Sequence, residues 1–435
     1  MSKIKLAGLP EHGLRGELTM PGDKSISHRA LMIGAISHGK TVVDHFLWSN
    51  DCQQTLKALQ ALGVELKTDR QRIIISGQGF SGLKAVANWL EMGNSGTTAR
   101  LLMGILAGRD FTSYLRGDVS LSRRPMKRVS QPLSQFGAKI IPSSTGTLPL
   151  KIEGNSLHGS TVKLTVASAQ VKSALIFAAL QAAEPSTIIE KLPTRNHTEI
   201  MLQKFGAKIT TASDNLTIRI EPGAKLTGQE IKVPGDISSA AFFLVAATIV
   251  PHSDLIIKNV NLNPTRTGIL RVLKKMGAAI EIDYLPNDGE PLGKIEVRSA
   301  QLQPIEIQAA EIPAIIDELP LVALLAACAS GTSKITGAAE LRVKETDRIA
   351  TVAAELKKLG VQVTELPDGM IIQGISSWQQ QTDQLESYGD HRIGMMLAIA
   401  ALRSKQQFFL NHAEAVAVSY PEFFNDLQTL IQNSR

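Results

Sequence analysis

The stretch LQKFGAKI, residues 202–209, recurs with small changes at four other places in the chain. Each copy has a leucine, two polar or small residues, an apolar residue and a glycine, followed by a small residue and a short β-prone run. The other copies are LQALGVEL (59–66), LSQFGAKI (133–140), LKKMGAAI (273–280) and LKKLGVQV (356–363). Glycine tolerates the positive φ angle at which many helices end, so every copy predicts a helix followed by a strand.

A second pattern, a small turn followed by an apolar helical run, alternates with the first. Its six copies are PGDKSISHRALMIGA (21–35), GNSGTTARLLMGILA (93–107), ASAQVKSALIFAAL (167–180), PGDISSAAFFLVAA (234–247), DELPLVALLAACA (317–329) and GDHRIGMMLAIAAL (389–402). Six repeats in 435 residues give about 72 residues each, which agrees with the spacing of the first pattern. The sequence therefore predicts an α/β fold of six repeated units, each with strands and two helices.

The last repeat lacks its closing strand. The stretch FFNDLQTLIQ (423–432) matches the sixth helix of the first pattern, but no strand follows it. The stretch KIKLAG (3–8) is predicted to be a strand, but it precedes the first repeat and belongs to no unit along the chain. We therefore predict that the N-terminal strand completes the last unit.

Two matching Pro-Gly-Asp turns divide the repeats into two groups of three. They lie in TMPGDK (19–24) and KVPGDI (232–237) and indicate two crossings between two lobes. One predicted lobe is 22–233, and the other combines 1–21 with 234–435. Two lobes joined by two strands favour hinge closure over a cleft.

Composition excludes several classes of protein. The net charge of +6 favours anionic partners, but aromatic residues make up only 4%, too few for base-stacking surfaces. Cys52 and Cys328 are the only cysteines, which excludes a disulfide framework and a cysteine-based zinc site. No apolar run is long enough for a membrane span, and the start does not resemble a signal peptide. We expect a cytoplasmic protein that binds neither membranes nor nucleic acid.

Cations stand at the starts of several predicted helices. In LRVKETDRIA (341–350), Thr346 is the expected N-cap, which places Arg348 in the first turn. A cation there opposes the helix dipole by about 0.3–1 kcal/mol. Lys24 and Arg392 stand at similar positions, and Arg100 is expected about two turns into its helix. Several such ends together would select an anion, although each cation alone could simply be solvated.

Six motifs give the chain a close resemblance to the 5-enolpyruvylshikimate-3-phosphate (EPSP) synthase family. They are PGDKSISHRA, GNSGTTARL, SLSRRPM, SAQVKSALI, LRVKETDRI and GDHRIGM, and they occur in the family's order. The resemblance implies a two-lobed enolpyruvyl-transferase fold of six βαβαββ units, three per domain. It implies transfer of the enolpyruvyl group of phosphoenolpyruvate to the 5-hydroxyl of shikimate 3-phosphate, with release of phosphate. This addition–elimination step of the shikimate pathway, leading to chorismate, uses no metal or other cofactor.

The resemblance also implies roles for individual residues. Shikimate 3-phosphate would be bound by Lys24, Ser25, Arg29, Ser168, Ala169, Gln170, Asp317 and Lys344. Phosphoenolpyruvate would be bound by Lys24, Gly96, Arg124, Gln170, Arg348 and Arg392. Asp317 is the candidate base, and Glu345 and Lys24 are the candidates for proton delivery, so the catalytic set is Lys24, Asp317 and Glu345.

Some positions depart from the family pattern, and other functions remain as alternatives. Ala169 stands where a second serine is common, and Val418 stands where some members carry a lysine. Arg195 could be an extra phosphate ligand. The nearest alternative is the cell-wall relative that acts on UDP-N-acetylglucosamine, which has Lys-Asn where this chain has Lys24-Ser25. A nucleic-acid-binding repeat protein and a structural scaffold are the others. We expect a monomer.

Overall fold

A computed structural model describes residues 2–69, 72–287 and 289–433. The chain divides into two compact units. We call Gly22–Val233 the first unit, and Met1–Pro21 with Pro234–Arg435 the second unit. The boundaries lie at the two Pro-Gly-Asp turns, between Pro21 and Gly22 and between Val233 and Pro234.

Two kinds of α-helix alternate along the described chain. The apolar kind comprises α1 (Lys24–Ala35), α3 (Gly96–Ala107), α5 (Ala169–Ala179), α7 (Ile237–Ile249), α9 (Leu319–Ala327) and α11 (His391–Ala401). The other kind comprises α2 (Asn50–Ala61), α4 (Lys127–Ser134), α6 (His197–Lys204), α8 (Gly268–Lys275), α10 (Arg348–Lys358) and α12 (Phe423–Gln432). The repeat prediction is confirmed, and the five repeat glycines just after α2, α4, α6, α8 and α10 have φ angles of 85–99°.

The strands of the first unit form three four-stranded sheets, ordered β14-β3-β5-β4, β6-β7-β9-β8 and β10-β11-β13-β12. Their bounds are β3 (His38–Asp44), β4 (Glu65–Asp69), β5 (Arg72–Gln78), β6 (Leu90–Glu91), β7 (Thr112–Arg116), β8 (Lys139–Pro142), β9 (Leu150–Glu153), β10 (Thr161–Lys163), β11 (Ser186–Ile189), β12 (Lys208–Thr211), β13 (Thr217–Glu221) and β14 (Glu230–Lys232). In every sheet the first two strands are parallel and the later pairs are antiparallel. This is the βαβαββ arrangement.

The second unit repeats this arrangement in sheets ordered β16-β17-β15-β2, β18-β19-β21-β20 and β1-β23-β22. Their bounds are β1 (Lys3–Lys5), β2 (Arg15–Thr19), β15 (Asp254–Asn261), β16 (Ala279–Leu285), β17 (Leu292–Arg298), β18 (Glu306–Ile307), β19 (Thr332–Ile335), β20 (Gln362–Leu366), β21 (Gly369–Gln373), β22 (Gln384–Glu386) and β23 (Phe409–Asn411). β1 pairs antiparallel with β23, with Ile4 opposite Leu410. The N-terminal strand therefore completes the last repeat, as the sequence predicts.

The strand before each Pro-Gly-Asp turn closes a sheet in its own unit. β2 precedes α1 in the chain, but it pairs with β15 of the second unit. β14 precedes α7, but it pairs with β3 of the first unit. Each unit thus begins and ends at the two turns.

Apolar helices form the interior of each unit. A helix that is apolar on all sides is expected to be buried, and every residue of α7 is buried. In the first unit α3 and α5 pack so closely that a Cβ atom on Gly104 would lie 2.0 Å from the carbonyl oxygen of Ala174. Glycine is therefore required there. Among the described residues, no helix has the length and apolarity needed to cross a membrane.

Candidate active site

Two cationic residues that were predicted to bind substrate, Lys24 and Arg29, lie near the start of α1. Lys24 is the first residue of the helix, and its Nζ lies 3.2 Å from Asp51 Oδ2. Arg29 lies one turn later and is 3% exposed. Its guanidinium donates to Thr198 Oγ1 at 2.7 Å and to Ser173 Oγ at 2.8 Å. The hydroxyl groups of Thr198 and Ser173 thus help to hold the buried guanidinium in place.

The starts of α3 and α5 are joined by side-chain hydrogen bonds. Arg100 NH1 donates to Gln170 Oε1 at 2.7 Å, and Gln170 Nε2 donates to Thr97 Oγ1 at 3.0 Å. A Cβ atom on Gly96 would lie 2.8 Å from Arg100 NH1 and 3.4 Å from Arg124 NH1. The predicted ligands Gly96, Arg124 and Gln170 therefore lie close together. Arg100, which is 8% exposed, lies about one turn into α3, not two as predicted.

Two serines cap these helices. The Ser95 hydroxyl accepts a hydrogen bond from the Thr98 N–H, and the Ser168 hydroxyl accepts one from the Val171 N–H at 3.4 Å. Gly96 and Ala169 are consequently the first residues of their helices, where backbone N–H groups have no partner within the helix. Two helix starts with nearby guanidinium groups suit the binding of anions.

In the second unit, α10 begins at Arg348 and is capped by Asp347. The Asp347 carboxylate accepts hydrogen bonds from the N–H groups of Ile349 and Ala350, both at 3.1 Å. The predicted cap, Thr346, was wrong by one residue. A carboxylate accepts two N–H groups here and interacts favourably with the helix dipole, which explains why the aspartate takes this position.

Carboxylates surround the guanidinium of Arg348, which is 1% exposed. Its Nε and NH2 groups donate to the two oxygens of Asp390 at 2.7 and 3.1 Å, and NH2 also donates to Glu345 Oε2 at 2.6 Å. Burial alone would lower the pKa of Arg348, but Asp390 and Glu345 outweigh it and raise that pKa. NH1 lies 4.0 Å from Asp317 Oδ1 and donates no hydrogen bond within the described residues.

Asp317 lies against a second arginine. Arg392 NH1 donates to the Asp317 carbonyl oxygen at 3.0 Å, and NH2 lies 3.5 Å from the Asp317 carboxylate. Lys344 is half-buried, and within the described chain it has no hydrogen bond or ion pair. Burial lowers the pKa of its ammonium group, and the carboxylates of Asp317 and Glu340 only partly oppose this. The N–H donors of the Lys344 ammonium group therefore make no hydrogen bond to other described residues.

Comparison with known proteins assigns this arrangement to a family. The model of the family described as EPSP synthase (3-phosphoshikimate 1-carboxyvinyltransferase) matches residues 10–427. The chain belongs to the EPSP synthase family. Among curated relatives, the 3-phosphoshikimate 1-carboxyvinyltransferase of Lactiplantibacillus plantarum is 57% identical, with 98% of this chain and 99% of that protein covered. The enzyme of the same name from Limosilactobacillus fermentum is 58% identical, with 96% and 97% covered.

Solved structures agree with the family. An EPSP synthase from Acinetobacter baumannii has 41% identity and a TM-score of 0.85, with 98% of both chains covered. The enolpyruvyl transferase NikO from Streptomyces tendae has a TM-score of 0.79 at 16% identity, with 98% of this chain and 97% of that chain covered. The second likeness shows the fold alone, and it confirms the enolpyruvyl-transferase architecture.

Three residues within the EPSP synthase motifs were missing from the predicted site. Asp390 holds Arg348, Arg100 holds Gln170, and Thr97 accepts a hydrogen bond from that glutamine. Asp390 was visible in the motif GDHRIGM as an aspartate before an apolar run, which is the usual signal of a helix cap. Its pairing with Arg348 had no local signal, because the two residues are far apart in sequence. Within the described residues, no group of three or more His, Cys, Asp or Glu side chains could hold a metal ion.

Proposed function

We propose that this chain transfers the enolpyruvyl group of phosphoenolpyruvate to the 5-hydroxyl of shikimate 3-phosphate and releases phosphate. This is a step of the shikimate pathway to chorismate and the aromatic amino acids. The observation that carries the proposal is the cluster in the second unit, where Arg348 and Arg392 lie beside the carboxylates of Asp317 and Glu345. Such a cluster provides both anion binding and proton transfer, and the reaction needs both.

The shikimate 3-phosphate ligands that we propose combine cations, hydroxyls and a helix start. They are Lys24, Ser25, Arg29, Ser168, Ala169, Gln170, Asp317 and Lys344. Support comes from Arg29, a buried cation that donates hydrogen bonds to the hydroxyls of Thr198 and Ser173. Support also comes from Lys344, whose ammonium group makes no hydrogen bond to other described residues. Ala169 lacks a hydroxyl, so only its backbone N–H would serve.

The phosphoenolpyruvate ligands that we propose are Lys24, Gly96, Arg124, Gln170, Arg348 and Arg392. Gly96 supports this set because its lack of a Cβ atom lets the guanidinium groups of Arg100 and Arg124 lie close to the start of α3. Arg348 offers NH1 to the substrate carboxylate while Asp390 holds the opposite edge of the guanidinium. Arginine suits the task because its planar fork matches a carboxylate.

The residues of this chain would move two protons during the reaction. Asp317 would accept the proton of the 5-hydroxyl as that oxygen attacks C2 of phosphoenolpyruvate. An acid, either Glu345 or Lys24, would protonate C3 to give a tetrahedral intermediate. The conjugate base of that acid would then take a proton from C3 while the bond from C2 to the phosphate oxygen breaks. This restores the double bond, and the phosphate leaves with the proton held by Asp317.

Alanine variants in both units test the proposed site. We expect Lys24→Ala and Arg348→Ala each to lower kcat/KM with the two substrates by roughly 100-fold, because each removes a charged partner of a substrate anion. Matched controls are Lys57→Ala and Arg271→Ala, which remove exposed cations from α2 and α8. Losses of similar size in the controls, or activity retained in both site variants, would contradict the proposal.

We also propose that the enzyme works as a cytoplasmic monomer without a metal or other cofactor. Both cysteines are free thiols, which suits a reducing compartment. Activity that survives a chelator, and sedimentation at the mass of one chain, would support this part. A dimer in sedimentation, or activity lost to chelation, would contradict it.

A further inference from the structure

Residues 386–390, which we call the loop, run from the last residue of β22 to the residue before α11. The loop carries Asp390, which accepts hydrogen bonds from Arg348. Its backbone makes a sharp turn, with Tyr388 at φ 55° and Gly389 at φ 72°. Non-glycine residues rarely take positive φ angles, and they do so where the surroundings fix them. A contact from α10 holds Tyr388 in this conformation.

Glu355 is the side chain that fixes the loop from the helix side. It lies two turns after Arg348 on α10 and has no exposed surface. Its Oε1 accepts a hydrogen bond from the Tyr388 hydroxyl at 2.9 Å, and its Oε2 accepts one from the Glu386 backbone N–H at 3.0 Å. Lys358 Nζ pairs with the same carboxylate at 2.7 Å.

α10 consequently holds the loop at two points. Arg348 donates hydrogen bonds to Asp390, the last residue of the loop, and Glu355 accepts hydrogen bonds from Glu386 and Tyr388. Because Arg348 and Glu355 belong to one helix, both sets of hydrogen bonds determine the position of Asp390 relative to Arg348. The loop then continues into α11, so Arg392 is placed by the same arrangement.

We propose that Glu355 and Tyr388 are positioning residues for phosphoenolpyruvate binding, acting through Asp390 on Arg348 and Arg392. The inference rests on the proposed function, since it assumes that the two arginines bind phosphoenolpyruvate. Neither Glu355 nor Tyr388 needs to touch a substrate. Their effect should therefore fall on the KM for phosphoenolpyruvate more than on the KM for shikimate 3-phosphate or on kcat.

The variants Tyr388→Phe and Glu355→Gln, and the double variant, test the inference. Tyr388→Phe removes one hydroxyl and should raise the KM for phosphoenolpyruvate roughly three- to tenfold, the range expected for one lost hydrogen bond. Glu355→Gln should do at least as much, because the amide keeps only one acceptor oxygen for the donors of Glu386 and Tyr388 and loses the charge that pairs with Lys358. The double variant should resemble the worse single variant, since both changes weaken the same attachment of the loop to Glu355.

Tyr420→Phe is the matched control. Tyr420 lies in the same unit, and its hydroxyl donates to Asp426 Oδ2 at 2.6 Å, so the substitution also removes a tyrosine–carboxylate hydrogen bond. We expect it to lower the melting temperature and to change the KM for phosphoenolpyruvate less than twofold. Melting temperatures of all variants separate general destabilisation from a specific effect on binding.

Two results would overturn the inference. One is a KM for phosphoenolpyruvate in Tyr388→Phe that rises no more than in Tyr420→Phe. The other is an equal rise in both KM values with additive effects in the double variant, which would indicate a structural role only. A wild-type protein without turnover would instead refute the proposed function, and this inference would fall with it.

Discussion

Arg348 shows at the scale of one residue how a cation is kept where the helix dipole opposes it. Asp390 and Glu345 surround its Nε and NH2 groups, and the buried guanidinium would be costly without them. The sequence indicated that an anion should lie beside this cation, and in the structure carboxylates of the protein itself lie there. The NH1 group, which donates no hydrogen bond within the described residues, is the one that we propose for the substrate carboxylate.

Gly96 offers a prediction at the same scale. Gly96→Ala would place a Cβ atom 2.8 Å from Arg100 NH1, so that side chain would have to move from its present position. Arg100 also holds Gln170, another proposed ligand of phosphoenolpyruvate. We expect the KM for phosphoenolpyruvate to rise at least tenfold, about 1.4 kcal/mol, with a much smaller change for shikimate 3-phosphate. Steady-state kinetics with each substrate varied checks this, and equal changes in both KM values would contradict it.

Lys344 leads to a prediction about pH. Burial lowers the pKa of its ammonium group, so this cation loses its proton at a lower pH than an ordinary lysine does. A neutral Lys344 cannot attract the anionic shikimate 3-phosphate, so kcat/KM for that substrate should fall as pH rises through this pKa. In Lys344→Arg the fall should shift to higher pH, because a guanidinium stays charged. An unchanged alkaline limb in the variant would assign the titration to another group.

At the scale of elements, the helix ends were the best predicted features. The five glycines follow their helices with positive φ, because few other residues take that conformation easily. Caps were less certain, because Thr346 and its neighbour Asp347 are both good caps and the sequence did not distinguish them. The contacts between helix starts, such as that of Arg100 with Gln170, were not predictable, because they depend on how closely α3 and α5 pack.

Lys172 on α5 is a buried cation that is not among the proposed ligands. It is 1% exposed, and its Nζ lies 2.9 Å from Glu190 Oε2 and 2.8 Å from Glu199 Oε1. Lys172→Met would leave two buried carboxylates without a counterion and should lower the free energy of unfolding by about 3–5 kcal/mol. Urea denaturation measures this, with the exposed Lys204→Met on α6 as the control.

The same variant should show a characteristic pH dependence. Burial raises the pKa of Glu190 even with Lys172 present, and loss of the lysine should raise it further. A carboxyl group with a raised folded-state pKa favours the folded state at low pH, and that contribution is lost as pH rises through the raised pKa. The destabilisation by Lys172→Met should therefore be smaller near pH 5 than near pH 8. A loss that does not depend on pH would contradict this explanation.

At the scale of the whole molecule, sequence repetition indicated six units, and the structure shows which strands complete the sheet of each unit. The N-terminal strand was predictable because one unit lacked a strand and one strand lacked a unit. The placement of β2 and β14 was not predicted, because each pairs with a strand that is distant in the chain. Local sequence carries little information about such long-range pairing.

The proposed ligands come from both units, and this leads to a prediction about the molecule in solution. If residues of both units bind shikimate 3-phosphate, a saturating concentration of that substrate should lower the radius of gyration. Small-angle X-ray scattering with and without substrate measures the change, and Arg29→Ala should weaken it. No compaction at saturation would contradict substrate-driven closure.

The most direct test of the account is phosphate release by the purified protein with phosphoenolpyruvate and either of two acceptors. The account predicts one phosphate released for each shikimate 3-phosphate consumed, and none with UDP-N-acetylglucosamine. Release only with the sugar nucleotide, or with neither acceptor, would contradict the proposed function.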